Sequence, residues 1–260
     1  MQKECSLGKA ANWELRPMWD ALLDMHSAIR AVCKKYDIRY WVCGGTALGA
    51  MRHKGFIPWD DDFDIMMLRP DYERFSNIVK ELPPNLSWRS IDTDATYEYM
   101  FGKVYDNRID FVEKLKVDTN LNLDQGLYID VFPVDGQPST LKGLHLYKFV
   151  RAWWSRLVYR LPISMQSRRK LFNRYVKLIK IADDGWCWVS FVDRDDQQRC
   201  YWPRSWFNGE VLMPFDRDFV PLVNQPEAFI SKHYRNWKEL PPEENRVPSH
   251  QAFSGGIVDF

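Results

Sequence analysis

The stretch Trp59-Asp60-Asp61-Asp62-Phe63-Asp64 places four carboxylates within five residues, directly ahead of the apolar run Ile65-Met66-Met67-Leu68. Like charges this close repel one another and cost stability unless water or a cation neutralises them. A strand over 60–68 would alternate its side chains, putting Asp60, Asp62 and Asp64 on one face and Asp61 on the other. Three carboxylates on one face suit a hard divalent cation, Mg²⁺ or Mn²⁺. For the bare triplet, a solvated acidic loop is the competing reading.

The residues just before it shift that balance. Arg39–Cys43 is a β-prone run stopped by Gly44-Gly45, and Thr46 stands where it would cap a short helix over 47–52. Free backbone N–H groups at such a turn attract phosphate. Arg52, His53 and Lys54 follow and would neutralise further phosphate charge. Gly44, Gly45, Thr46, Arg52 and Lys54 beside a metal-binding carboxylate strand are the parts that phosphoryl transfer requires.

The segment from Gly44 to Phe75, GGTALGAMRHKGFIPWDDDFDIMMLRPDYERF, resembles the signature of the LicD family, which is related to the fukutin-type transferases. Gly126–Gly136 is similar to that family's downstream IDxFPxDG element, and Lys238–His250 to its C-terminal LPP…H segment. The three pieces stand in the family's order and span about 40–250. The resemblance implies an α+β protein: a nucleotidyltransferase core of the DNA-polymerase-β type, with a mixed sheet flanked by helices. It implies that Asp62 and Asp64 are the catalytic metal-binding pair, with Asp60 an additional ligand and Asp130 the later acid. The local residues agree, since Asp130 is one ionisable group in the β-prone run Leu127–Phe132, and a buried Asp needs a partner or a metal. Capping a turn before Pro133 is its alternative role. The resemblance also points to a base on an intervening strand, and Lys103 in Tyr99–Tyr105 stands there; an exposed strand-edge lysine is the competing reading. One departure is that Tyr234-Arg-Asn-Trp237 replaces the family's usual Tyr-Gly-Asp-Tyr-like run, altering a helix end.

The activity implied is transfer of a phospho-alcohol group, phosphocholine first among them, from a CDP-linked donor to a sugar hydroxyl of a cell-surface glycan or lipid-linked glycan. A nucleotidyltransferase moving NMP from an NTP is the alternative. Charge bears on partners. The net charge is +1, yet residues 137–182 hold eleven Lys and Arg and no Asp or Glu. The rest of the chain therefore sets twenty-five bases against thirty-five acids. An acidic body does not suit nucleic acid. The basic, aromatic segment would form helices that lie on an anionic membrane surface or fold back on the acidic body. The expected division is a core over 1–136, this segment over 137–182, and a C-terminal portion over 183–260 packing on the core.

The five cysteines form no CxxC pair, which suits a reducing compartment. No run approaches a membrane span. A cytoplasmic protein is expected, with the inner face of the membrane as an alternative station. The 3.6-residue spacing of Trp19, Leu22, Leu23, Ile29, Val32 and Cys33 predicts a helix over 13–36. Further helices are expected from Pro70 to about Glu81, over 140–182 and over 225–234, with short strands at 86–91, 99–105, 109–112, 127–132, 189–192 and 211–215.

Overall fold

A computed structural model describes residues 15–108 apart from 91, 95, 96, 98 and 100, together with 127–136, 167, 170, 171, 186–189 and 201–246. Within these bounds the chain opens with helix α1 (Arg16–Lys35), started by Pro17 in its first turn and closed by Lys34 and Lys35 at its negative end. Its apolar stripe buries Met18, Leu22, Leu23, Met25, Ile29, Val32 and Cys33, while Trp19 is half-buried. Strand β1 (Trp41–Val42), α2 (Gly44–Arg52) and β2 (Asp64–Leu68) follow, then α3 (Arg69–Ile78), which continues into a 3₁₀ turn at Val79–Glu81. Next come β3 (Leu86–Arg89), β4 (Gly102–Asp106), β5 (Leu127–Gly136), β6 (Trp186–Val189) and β7 (Tyr201–Pro203). A 3₁₀ turn at Arg204–Phe207 leads to the hairpin β8 (Glu210–Phe215) and β9 (Asp218–Val223), then to α4 (Pro226–His233).

Seven strands form one mixed sheet in the order β1-β2-β5-β4-β3, with β6 joined to β5 and β7 to β6. β2 and β5 are parallel; every other pair in the sheet is antiparallel. β5 is the spine of this sheet and packs against both α1 and α3. Of the strands after residue 183, β6 and β7 extend this sheet, whereas β8 and β9 pair with each other as a separate hairpin.

Several expectations change. Asp60–Phe63 is not strand: β2 begins only at Asp64, because the backbone N–H of Asp60 closes a turn onto the carbonyl of Ile57. Strand alternation therefore does not govern Asp61, which is buried rather than turned out to water. Asp130 caps no turn, since β5 runs on through Pro133, which stands opposite Met67. Tyr99 and Phe101 lie outside β4, and the expected strand at 109–112 lies outside the described residues. So does nearly all of the basic 137–182 segment; residues 167, 170 and 171 are helical. Among the described residues no helix is long and apolar enough to cross a membrane.

One face of the sheet is sealed by α3. Tyr72 and Phe75 pack edge-on against Trp88 of β3. Arg69 donates two hydrogen bonds to Asp135 of β5, at 2.6 and 2.7 Å. Beneath the acidic loop, Phe56, Phe63 and Phe215 meet edge to face, and Trp19 stacks on Phe56 at 5.1 Å. Burying each such ring is worth about 1.5–3 kcal/mol, so the acidic loop above rests on a firm base.

Candidate active site

The register across three neighbouring strands defines the site. Asp64 of β2 stands opposite Asp130 of β5, and Asp130 stands opposite Lys103 of β4. Directly opposed residues share a face, so two acids and a base form one row, with Arg89 of β3 next in line opposite Lys103. Lys103 is only 2% exposed, which rules out the strand-edge reading, and its Nζ lies 3.2 Å from Asp130 Oδ1. The same ammonium sits 3.4 Å from the Tyr128 ring centre, 4.8 Å from that of Tyr99 and 5.8 Å from that of Phe101. Aromatic faces and a carboxylate together make a buried lysine tolerable as a cation.

The acidic loop joins this row from the β2 end. The Trp19 indole N–H donates to the carbonyl of Asp60 at 2.8 Å, fixing the loop on α1. The Asp130 N–H donates to the carbonyl of Phe63 at 3.1 Å, tying the loop to β5. Burial pushes the Asp60 carboxyl well above its ordinary range, and the charges of Asp62 and Asp61 push it further. Asp64 is raised in the same direction, by burial first and then by Asp62, Asp130 and Asp60. Asp60, Asp62, Asp64 and Asp130 thus share one electrostatic site, although only Asp64 and Asp130 lie on strands.

Gly44 and Gly45 are there because nothing larger fits. Gly44 has φ +54°, and a Cβ on it would lie 2.3 Å from Asp64 Oδ2; one on Gly45 would lie 2.5 Å from Asp60 Oδ2. The start of α2 is thus pressed against the carboxylates, and among the described residues Asp60 Oδ2 is buried without a hydrogen-bond partner. Thr46 does not cap the helix. It sits inside α2, whose cap position is Cys43, and its Oγ1 accepts from the Asp64 N–H at 2.8 Å. Its role is to hold β2 against α2.

The two expected phosphate bases separate. Arg52 lies close enough to feel the Asp60 charge, but one of its nitrogens donates to the carbonyls of Trp237 and Glu239, at 3.1 and 2.9 Å. It anchors the C-terminal segment over the site. Lys54 is exposed at φ 60°, and its carbonyl accepts from Asp216 N–H in the β8–β9 turn. No interaction among the described residues links Lys54 to the acids.

Tyr234, at the end of α4, is a neighbour that sequence reasoning missed. Burial raises its phenol above the ordinary range, followed by the negative charges of Asp64, Asp60 and Asp62. The one sequence signal was the departure at Tyr234–Trp237 from the family run.

Oxygen ligands clustered this tightly fit a hard divalent cation by charge and donor chemistry, and the unsatisfied Asp60 oxygen points the same way. Among the described residues no three such side chains already stand in a ligating arrangement about one point.

The family model for the LicD/FKTN/FKRP nucleotidyltransferase domain matches residues 37–159. Over those residues the chain is similar to the LicD family. That match takes in α2, the acidic loop, β2, Lys103 and Asp130, the elements that build the site. Over 91% of its own length and 96% of the relative's, the chain is 26% identical to the lipopolysaccharide cholinephosphotransferase LicD of Haemophilus influenzae. An uncharacterised protein of Rickettsia typhi is 38% identical over 64 residues, 25% of this chain and 19% of that protein. One of Rickettsia prowazekii is 36% identical over a stretch of the same length, 23% of that protein.

Proposed function

We propose that the chain transfers a phospho-alcohol group, phosphocholine first among the candidates, from a CDP-activated donor to a sugar hydroxyl of a cell-surface glycan. The observation that carries this reading is the near full-length similarity to a lipopolysaccharide cholinephosphotransferase, joined to the Asp64–Asp130–Lys103 row. The core is proposed to be a nucleotidyltransferase fold of the DNA-polymerase-β type, with Asp60, Asp62, Asp64 and Asp130 holding Mg²⁺ or Mn²⁺. Bound there, a divalent ion would neutralise diphosphate charge and the charge of the departing CMP.

The chain's own groups then have distinct tasks. The acceptor hydroxyl oxygen attacks the phosphorus that bears the alcohol. The bond from that phosphorus to the bridging oxygen breaks, CMP departs with its electron pair, and the hydroxyl proton passes to a carboxylate, for which Asp130 is proposed. Lys103 supplies fixed positive charge beside the phosphoryl group, already oriented by Asp130 and three rings, so little reorganisation is needed. Gly44 and Gly45 let the donor's phosphate approach the backbone at the start of α2.

The description of the matching domain as a nucleotidyltransferase keeps a second reading in view, NMP transfer from an NTP. Incubating the protein and Mg²⁺ with CDP-alcohols and NTPs separates the two. CMP from a CDP-alcohol supports the first, pyrophosphate from an NTP supports the second, and neither product from any donor refutes both.

A further inference from the structure

One ring removed from the Lys103 ammonium stands Tyr97, whose hydroxyl neither the motif nor the carboxylate chemistry uses. Tyr97 is only 5% exposed, and among the described residues its Oη is buried without a hydrogen-bond partner. A buried unsatisfied hydroxyl costs stability, and the cost persists where function uses the group. Its surroundings are specific. The Tyr97 ring stands 5.4 Å from that of Tyr99, which in turn faces the Lys103 ammonium at 4.8 Å. The Arg89 guanidinium lies 6.0 Å from the Tyr97 ring centre and is held by Asp94, whose carbonyl accepts from the Tyr97 N–H at 3.3 Å. Arg89 and Lys103 are opposite one another in the β3–β4 register, so both share the Asp130 face. The charge of Asp130 also reaches the phenol.

We infer that the Tyr97 hydroxyl is a substrate-binding group of the proposed active site, donating a hydrogen bond to a phosphoryl oxygen of the donor as it lies against Lys103 and Asp130. The inference rests on the phosphotransferase reading above.

Two features decide that the ligand atom is anionic. The Tyr99 ring beside Tyr97 is already faced by the Lys103 ammonium at 4.8 Å, and the same ammonium also lies over Tyr128 and Phe101. A second cation such as a quaternary ammonium would meet it at close range in a poorly screened site. A phosphoryl oxygen is attracted by the same ammonium and by Arg89. Burial, the main influence, pushes the phenol's ionisation upward, so at neutral pH the group is a proton donor to hydrogen bonds rather than a base. The aromatic wall around Lys103 therefore serves the phosphate end of the substrate, and the alcohol headgroup is read elsewhere.

The test is Tyr97→Phe, which keeps the ring and its packing and deletes only the oxygen. CMP release from CDP-choline with Mg²⁺ is measured alongside thermal unfolding of the ligand-free protein. The inference predicts kcat/KM lowered on the order of 10-fold to 100-fold, with a Tm equal to or above that of the wild type, since an unsatisfied buried group is removed. Tyr97→Leu, which also removes the ring, lowers both. Wild-type-like kcat/KM in Tyr97→Phe overturns the assignment while leaving the phosphotransferase reading intact. A Tm drop of several degrees in Tyr97→Phe overturns it too, because the hydroxyl then has a structural partner. A wild type that releases no product from any CDP-alcohol refutes the parent reading and this inference with it.

Discussion

Replacing Arg69 with Met tests how the α3 side of the sheet is held. The Arg69 and Asp135 side chains are 10% and 1% exposed, and two hydrogen bonds of 2.6 and 2.7 Å join them in a fork. Burial works against the guanidinium charge, yet the Asp135 charge and hydrogen bonds outweigh it and leave Arg69 raised. Arg69→Met keeps most of the stem and abandons a carboxylate with almost no water to turn to. Breaking one side of such a pair costs about 3–5 kcal/mol. For a chain of this size each kcal/mol moves Tm by about 2–4 °C, so the fall should be roughly 6–20 °C. Urea unfolding followed by Trp fluorescence gives the free energy directly. The double variant Arg69→Met/Asp135→Leu removes both charges and should recover to within about 2 kcal/mol of wild type. A loss under about 1 kcal/mol in the single variant, or a double variant as unstable as the two singles summed, would refute the reasoning.

Other consequences follow from single contacts. His26 is fully buried, its Nε2 bonds Tyr40 Oη at 2.9 Å, and burial first, with help from the Arg30 charge, lowers its pKa to about 4. A depressed histidine contributes stability that is complete above its unfolded pKa of about 6.5 and is lost as pH falls toward 4. Its share is about 3 kcal/mol. Unfolding curves at pH 7 and pH 4 should show this slope flattened in His26→Gln, and an unchanged slope would remove His26 as its cause. Gly45→Ala drives a methyl to 2.5 Å from Asp60 Oδ2; Mg²⁺-dependent stabilisation in a thermal shift should fall sharply, and retention of the full shift would contradict the close approach. Lys103→Met should lower product formation on the order of 100-fold, as loss of a preorganised charge does, and an equally active variant would exclude Lys103 from the chemistry.

The site was legible in the sequence to the extent that local chemistry demanded it. Four neighbouring carboxylates need neutralisation by water or a cation, and Gly44-Gly45 marked a turn read as a phosphate cradle, which the structure sets close against Asp64 and Asp60. The stripe of α1 was equally plain, because a 3.6-residue repeat has few other uses. Long-range closure was not legible. Nothing near Arg52 in sequence signals that it holds carbonyls of Trp237 and Glu239, so its reading as a phosphate base was the natural one. Alternation was extended back through Asp60–Phe63 because no breaker stands there, whereas the turn onto Ile57 and the Trp19–Asp60 bond decide the loop's course. β9 escaped notice because Pro221 argues against a strand; it is tolerated in an isolated two-stranded hairpin. Tyr97 was invisible for a simpler reason, since an unpartnered hydroxyl can be seen only once its surroundings are built.

The most direct measurement of the central claim is CMP release from CDP-choline by wild type, Asp62→Asn and Asp64→Asn, with Mg²⁺ and with chelator. The account predicts release by wild type that chelator abolishes and that both variants lose. Asp64→Asn should meanwhile unfold at the same temperature or higher without metal, because a carboxyl held well above its ordinary range by burial and neighbouring charge has been replaced by a neutral group. Full CMP release by folded Asp62→Asn and Asp64→Asn, or release that chelator leaves untouched, would contradict it.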